Sequence, residues 1–272
     1  MSQRSALDGL RVGCVQYLNS KPLIYGLHGV RLAHPSVLAA ELRRGELDAA
    51  LVPVFEVLRS PEAYWAVDGV AIASRGAVYS VFVAHRGPLE EMESVLVDPA
   101  SLTSVHLVQV LFQGIFGRRI RLLEDSAPGE MADNAGRLLI GNQAIAFRRE
   151  AEGRGWKFWD LGEAWTRWTG LPFVYALWVI RRGTPGAAEA AGVFRQIART
   201  GAMQIDSIAA GETEVDPRLA LIYLREYISF ELGELEKKGL VRFMCELERF
   251  GFLSGVAGGI EFISEACQIE GE

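Results

Sequence analysis

The chain has little of what marks several common protein classes. Its three cysteines in 272 residues, Cys14, Cys245 and Cys267, are odd in number, far apart and in no C-x-x-C pair. That argues against a disulfide scaffold and against a thioredoxin-like or zinc-ribbon motif, and all three are expected to be reduced thiols packed as small hydrophobes. The longest uninterrupted apolar run, Phe173 to Ile180, falls well short of the roughly 18 residues that cross a bilayer. Positive charge is the minority sign, 28 Lys+Arg against 34 Asp+Glu for a formal charge of −6, so no basic field draws phosphate backbones and no nucleic-acid partner is expected.

Motif absences remove further classes. His28, His34, His85 and His106 show no H-E-x-x-H spacing and have no partner cysteines, so no metal site is expected. There is no G-x-x-x-x-G-K-[ST], no G-x-G-x-x-G after a strand and no G-x-S-x-G elbow; the usual nucleotide-binding and serine-hydrolase readings fall away, and no cofactor is called for. Met1 to Gly9 carry Arg4 and Asp8 without a long apolar core or a small-residue cleavage site. A cytoplasmic location without a membrane partner is the expectation.

What remains is an ordinary globular composition, half apolar, 23% charged and 10% aromatic. At about 150 residues per domain the length predicts two domains. Short apolar runs alternate with helix-like stretches, the pattern of α/β architecture. Leu10–Val15 and Asp48–Val52 read as strands around a helix from a Ser36 cap to about Arg44, which ends in Arg43, Arg44 and Gly45. Val70–Ser74 and Val78–Ala84 read as two more strands, separated by Gly76. Beyond a turn at Arg86-Gly87-Pro88 comes a second block: strand Ser94–Val97, helix Leu102–Phe116, strand Arg137–Gly141, and a helix from about Asn142. After Pro185 the pattern is helical, with helices predicted over Ala187–Ala210, Pro217–Phe230 and Glu234–Phe250. The expected fold is therefore α/β, with two lobes around a ligand cleft, residues 1–84 with 178–272 forming one and residues 85–177 the other.

Small polar side chains collect where predicted strands end and helices begin. They are Asn19 and Ser20 in Tyr17-Leu18-Asn19-Ser20-Lys21-Pro22, then Ser80, then Ser101-Leu102-Thr103-Ser104 after Asp98, then Asn142 after Ile140-Gly141. Singly each is a helix cap; together they describe a pocket of neutral donors that holds an anion by dipoles and hydrogen bonds. Lys21, Arg75 and Arg148 are the cations nearest in sequence, and a solvated charge is the simpler role for each. Trp165, Trp168 and Thr169 fall at helical spacing and so share a face. That face is either packed core or an aromatic wall toward a ring-shaped ligand.

These motifs resemble one family. Val15 to Leu23, Leu51-Val52-Pro53, Tyr79-Ser80-Val81, Ser101 to Ser104, Leu139-Ile140-Gly141 and Trp165 to Phe173, in that order, resemble the chorismate dehydratases of the futalosine route to menaquinone, from about Leu10 to Phe252. The resemblance implies a two-lobed fold like the type II periplasmic binding proteins and a small dicarboxylate substrate, chorismate, which loses water to become 3-[(1-carboxyvinyl)oxy]benzoate. It implies a catalytic Asn19 and substrate contacts from Tyr17, Ser20, Ser80, Thr103, Ser104, Asn142, Thr169, Gly170 and Phe173. Where the family commonly has Asp, this chain has Asn142, an amide that hydrogen-bonds but does not titrate usefully. With no well-placed base in view, the substrate's own enolpyruvyl carboxylate is the expected proton acceptor. A dihydroxynaphthoate synthase of the same route and a non-catalytic carboxylate-binding protein are the alternatives on this scaffold.

Overall fold

The computed structural model describes residues 6–98, 101–124, 132–254 and 258–264. Two mixed sheets organise them. The first contains β1 (Val12–Val15), β2 (Arg31–Ala33), β3 (Ala49–Pro53), β4 (Tyr64–Ser74), β10 (Phe173–Arg181) and β11 (Phe262–Ile263), in the order β11-β4-β10-β3-β1-β2. The second contains β5 (Val81–His85), β6 (Ser94–Val97), β7 (Arg121–Glu124), β8 (Ala135–Ile140) and β9 (Lys157–Asp160), in the order β7-β6-β8-β5-β9. In each sheet three parallel strands, β2-β1-β3 and β7-β6-β8, are followed by a strand arriving antiparallel from the other half, β10 and β5 respectively.

Helices α1 (Pro35–Arg43), α2 (Val54–Arg59), α3 (Leu102–Phe116), α4 (Gly141–Ala151) and α5 (Leu161–Thr169) follow strands β2, β3, β6, β8 and β9. Helices α6 (Ala187–Met203), α7 (Ile205–Ala210), α8 (Pro217–Ile222) and α9 (Glu234–Arg249) form the return of the chain. No helix among the described residues is long and apolar enough to cross a membrane. The near-continuous burial of β1, β3 and β10 reflects sheet faces covered on both sides, which demands apolar runs rather than alternation.

Several expectations need correction. Ser36 is not a cap: α1 starts at Pro35 with His34 ahead of it and no side-chain cap bond, because proline's fixed φ suits the first helical position. The single helix expected over 187–210 breaks at Gln204, and the helix expected from Pro217 passes at Tyr223–Tyr227 into a π-turn. The boundaries expected at 84/85 and 177/178 each cut a strand, since β5 lies wholly in the second sheet and β10 wholly in the first. Cys14 is buried as expected, Cys245 is exposed, and Cys267 lies outside the described residues.

The first passage between sheets, residues 75–80, is tightly held. Asp160, capping α5 through the Glu163 amide, also accepts the amides of Val78 at 3.0 Å and Tyr79 at 2.8 Å. Burial raises the Asp160 carboxyl above its ordinary value, against the pull of those amides and of Arg148. Tyr79 has φ +66°, and is the only described non-glycine residue with positive φ, a conformation costly for a bulky side chain. Arg148 lies over its ring and Tyr227 packs against it. The next residue is Ser80, so strain and anchoring together aim one side chain.

Candidate active site

Between the sheets lies a cavity of about 580 Å³, open mouth included. It sits where β1, β3, β6 and β8 end, the location at which parallel α/β sheets gather ligands. Its described lining carries no charged side chain: Val15, Ile72, Val78 and Val81 give apolar walls, and the polar groups are amide, hydroxyls and backbone.

The N-terminus of α3 supplies one end. Ser101, Leu102, Thr103 and Ser104 all line the cavity, and in a helix of 15 residues the first amides have no intrahelical partner. Thr103 Oγ1 accepts the Phe55 amide at 3.1 Å, which leaves its hydroxyl hydrogen available. Ser101 Oγ is buried and bonded to no described residue. Such a group costs free energy unless a ligand or water satisfies it.

Asn19 and Ser80 face the same space from the first turn and the inter-sheet passage. Asn19 Nδ2 donates to Tyr223 Oη at 2.9 Å, and Tyr223 Oη lies 2.7 Å from Ser80 Oγ. Asn19 Oδ1, also buried, has no partner among the described residues. Tyr17 lies against Gly141, whose φ is +64° and whose place a Cβ would fill only 2.5 Å from the ring. Burial, with Asp98 nearby, pushes the Tyr17 hydroxyl up to about 12, so it stays protonated. The site can therefore grip a flat, partly apolar molecule, hold a carboxylate with neutral donors and dipoles, and offer hydrogen bonds to a departing oxygen.

Residues 10–249 match the model of the menaquinone biosynthesis family. Over 253 residues the sequence is 30% identical to the chorismate dehydratase of Thermus thermophilus, covering 85% of this chain and 93% of that protein. The chain belongs to the menaquinone biosynthesis family.

Solved structures carry the fold of this family member further. Protein AF1704 from Archaeoglobus fulgidus matches with TM-score 0.67 at 16% identity, over 90% of this chain and 98% of that one. The Candida albicans CA3427 gene product, described as having the generic periplasmic binding protein fold, matches with TM-score 0.60 at 11% identity, over 91% and 92%. The alkanesulfonate-binding protein SsuA of Xanthomonas axonopodis pv. citri, bound to MOPS, matches with TM-score 0.60 at 13% identity, over 90% and 94%. The architecture is the two-lobed periplasmic-binding-protein-like fold.

Not every motif residue of this family member reaches the cavity. Tyr17, Asn19, Ser80, Thr103 and Ser104 line it. Ser20 does not: its hydroxyl bonds the carbonyls of Val15 and Tyr17 at 2.6 and 2.7 Å and stitches the turn that presents Asn19. Asn142 faces an outer polar hollow, accepting the Leu18 amide and donating to Glu214. Thr169 Oγ1 donates to Trp165 O and accepts the Leu171 amide, and Gly170 at φ +73° ends α5, so both belong to a helix stop. Phe173 is fully buried against Trp165 and Phe243. The aromatic wall is thus core: Trp165 is fully buried, and Trp168 packs over Gly114 and beneath Arg242.

Among the described residues no cation lines the cavity either. Lys21 pairs with Glu212, Arg75 with Glu236, and Arg148 covers Tyr79. The residues that sequence reasoning passed over are Tyr175 and Tyr223. Tyr175 reaches the cavity because a bulge opposite β4, between Val174 and Ala176, leaves it unpaired and turned inward.

Proposed function

We propose that this protein is a cytoplasmic chorismate dehydratase whose substrate is bound between two lobes, one built on each sheet. The observation that carries the reading is the cavity whose described lining bears no charge and in which buried Asn19 and Ser80 share the space with the open N-terminus of α3, in a chain 30% identical to a chorismate dehydratase. Tyr17, Ser80, Ser101, Thr103 and Ser104 hold the substrate, with one carboxylate on the amides and hydroxyls that open α3.

Dehydration removes a ring hydrogen as a proton and a ring hydroxyl. The C–H electron pair becomes the new ring π-bond, and the C–O pair leaves on oxygen. The substrate's enolpyruvyl carboxylate accepts the ring proton and passes it to the departing hydroxide, so one water forms and the protein's protonation is unchanged. Aromatisation drives the reaction; the protein orients the ring and stabilises the oxygen as it leaves.

Purified protein incubated with chorismate, with products followed by chromatography and mass detection, should yield a compound lighter by one water at a rate well above the enzyme-free control. Asn19→Ala should lower turnover by about 10²-fold. Unchanged chorismate with a folded protein that binds it saturably overturns the reading and leaves a binding protein.

A further inference from the structure

Tyr223 lies outside the cavity lining yet joins two of its polar groups. Its hydroxyl is buried, takes a hydrogen bond from Asn19 Nδ2 and lies 2.7 Å from Ser80 Oγ. A phenol has one hydrogen to give. If Ser80 donated to Oη, with Asn19 donating as well, the phenol hydrogen would be left buried and unpaired, which is costly. The satisfied arrangement runs one way: Asn19 N–H to Tyr223, and Tyr223 O–H to Ser80. Ser80 then keeps its own hydrogen free, and Asn19, which lines the cavity, keeps an Oδ1 with no partner among the described residues.

The backbone around Tyr223 is specialised to the same end. Tyr223–Tyr227 is a π-turn, a rare interruption that often accompanies function. It sets Tyr223 against Ser80 and Tyr227 against Tyr79, two successive residues of the inter-sheet passage. Tyr79 is the residue at φ +66°. Burial raises the Tyr223 hydroxyl well above its ordinary value, so it works as a neutral donor rather than an acid.

We propose that Tyr223 is a positioning residue that fixes the polarity of the site, making Ser80 the donor to the departing hydroxyl oxygen and Asn19 the acceptor that orients the substrate. The assignment rests on the dehydratase reading above. Chained donors polarise one another, so the Ser80 hydrogen bond is stronger with Tyr223 behind it.

The test is a double-mutant cycle on turnover and on equilibrium binding of 3-hydroxybenzoate. Tyr223→Phe keeps the ring and should cut kcat about 10-fold with KM changed by less than about 2-fold; Ser80→Ala should cut it by a similar factor. If Tyr223 acts through Ser80, the double variant falls about 10-fold rather than about 100-fold. A purely structural role predicts multiplied losses and a KM that rises with them, which overturns the proposal. The pH–rate profile of Tyr223→Phe should keep its shape between pH 6 and 9; loss of an alkaline limb would make Tyr223 a titrating acid and also overturns it. If Tyr223→Phe does not fold, the same cycle on Asn19→Ala and Ser80→Ala reads the chain from its two ends, and independence there overturns it. Where wild type binds 3-hydroxybenzoate without dehydrating chorismate, the dehydratase reading fails alone, and non-additive losses of affinity still support the coupling. Wild type without turnover or binding overturns both.

Discussion

Asn142 donates through Nδ2 to Glu214 Oε2 at 2.5 Å while its Oδ1 accepts the Leu18 amide at 2.9 Å. One amide thereby ties the start of α4, in the half built on the second sheet, to the first turn and to the loop before α8. Only a group that donates on one side and accepts on the other does this, and a carboxylate at 142 would accept on both. Asn142→Asp should keep the Leu18 bond, set two carboxylates together, and cost about 1 kcal/mol at pH 8, a modest loss because Glu214 is exposed. One carboxyl of that variant's pair should titrate above its ordinary range, so stability returns as pH falls through that raised value. Urea unfolding of the variant and wild type at pH 8 and pH 5, with and without Glu214→Gln, checks this; a stability difference from wild type that is equal at both pH values sinks it.

Ser101 separates stability from binding. Its Oγ is buried and unpartnered, so Ser101→Ala removes an unsatisfied group and should leave stability unchanged or raise it by up to about 1 kcal/mol. The same change takes a donor from the mouth of α3 and should weaken chorismate binding about 10-fold. Thermal melts of the free protein and calorimetric titration read the two effects. A variant destabilised with binding intact would show that the hydroxyl serves the fold.

Acid should loosen the same helix. His106 stacks on Phe55 at 3.5 Å, bonds Leu102 O through Nδ1, and has its pKa lowered, first by burial, with Arg59 adding to the shift. Between the lowered folded value and about 6.5 the unfolded chain binds a proton that the native imidazole does not, so stability falls as pH drops through that window. An imidazolium so near the start of α3 would also oppose the helix dipole. His106→Phe keeps the stacking and should flatten the decline in Tm between pH 7 and pH 5 relative to wild type. Parallel declines would exclude His106 as a source of the acid sensitivity.

What could be read beforehand divides along physical lines. Strands buried on both faces, β3 and β10, stand out as apolar runs, and the turn after β1 and the start of α3 are marked by small polar residues. The short strands β2, β7 and β9 are partly exposed and carry no such pattern. Asn19, Ser80, Thr103 and Ser104 were expected where strands end and helices begin, and they line the cavity. Thr169, Gly170 and Phe173 lie instead in a helix stop and an aromatic cluster, which use the same residue types as a binding site. Tyr175 depends on a bulge and Tyr223 on a π-turn, and neither irregularity leaves a trace in hydrophobic periodicity.

Gly141 and Gly117 make a matched pair for the cavity wall. Both adopt positive φ, +64° and +67°, but a Cβ on Gly141 would lie 2.5 Å from the Tyr17 ring, whereas at Gly117 nothing lies within 4 Å. Gly117→Ala should therefore cost only the backbone term, about 1–2 kcal/mol. Gly141→Ala should cost that plus the displacement of Tyr17, and because Tyr17 lines the cavity it should raise KM as well. Adding Tyr17→Ala to Gly141→Ala relieves the clash and leaves the φ strain. The double variant's loss, less the cost of Tyr17→Ala alone, should then equal the Gly117→Ala value in urea unfolding. If Gly141→Ala and Gly117→Ala cost the same from the outset, the Tyr17 ring yields freely, and it cannot be the rigid wall that orients a substrate beside Asn19.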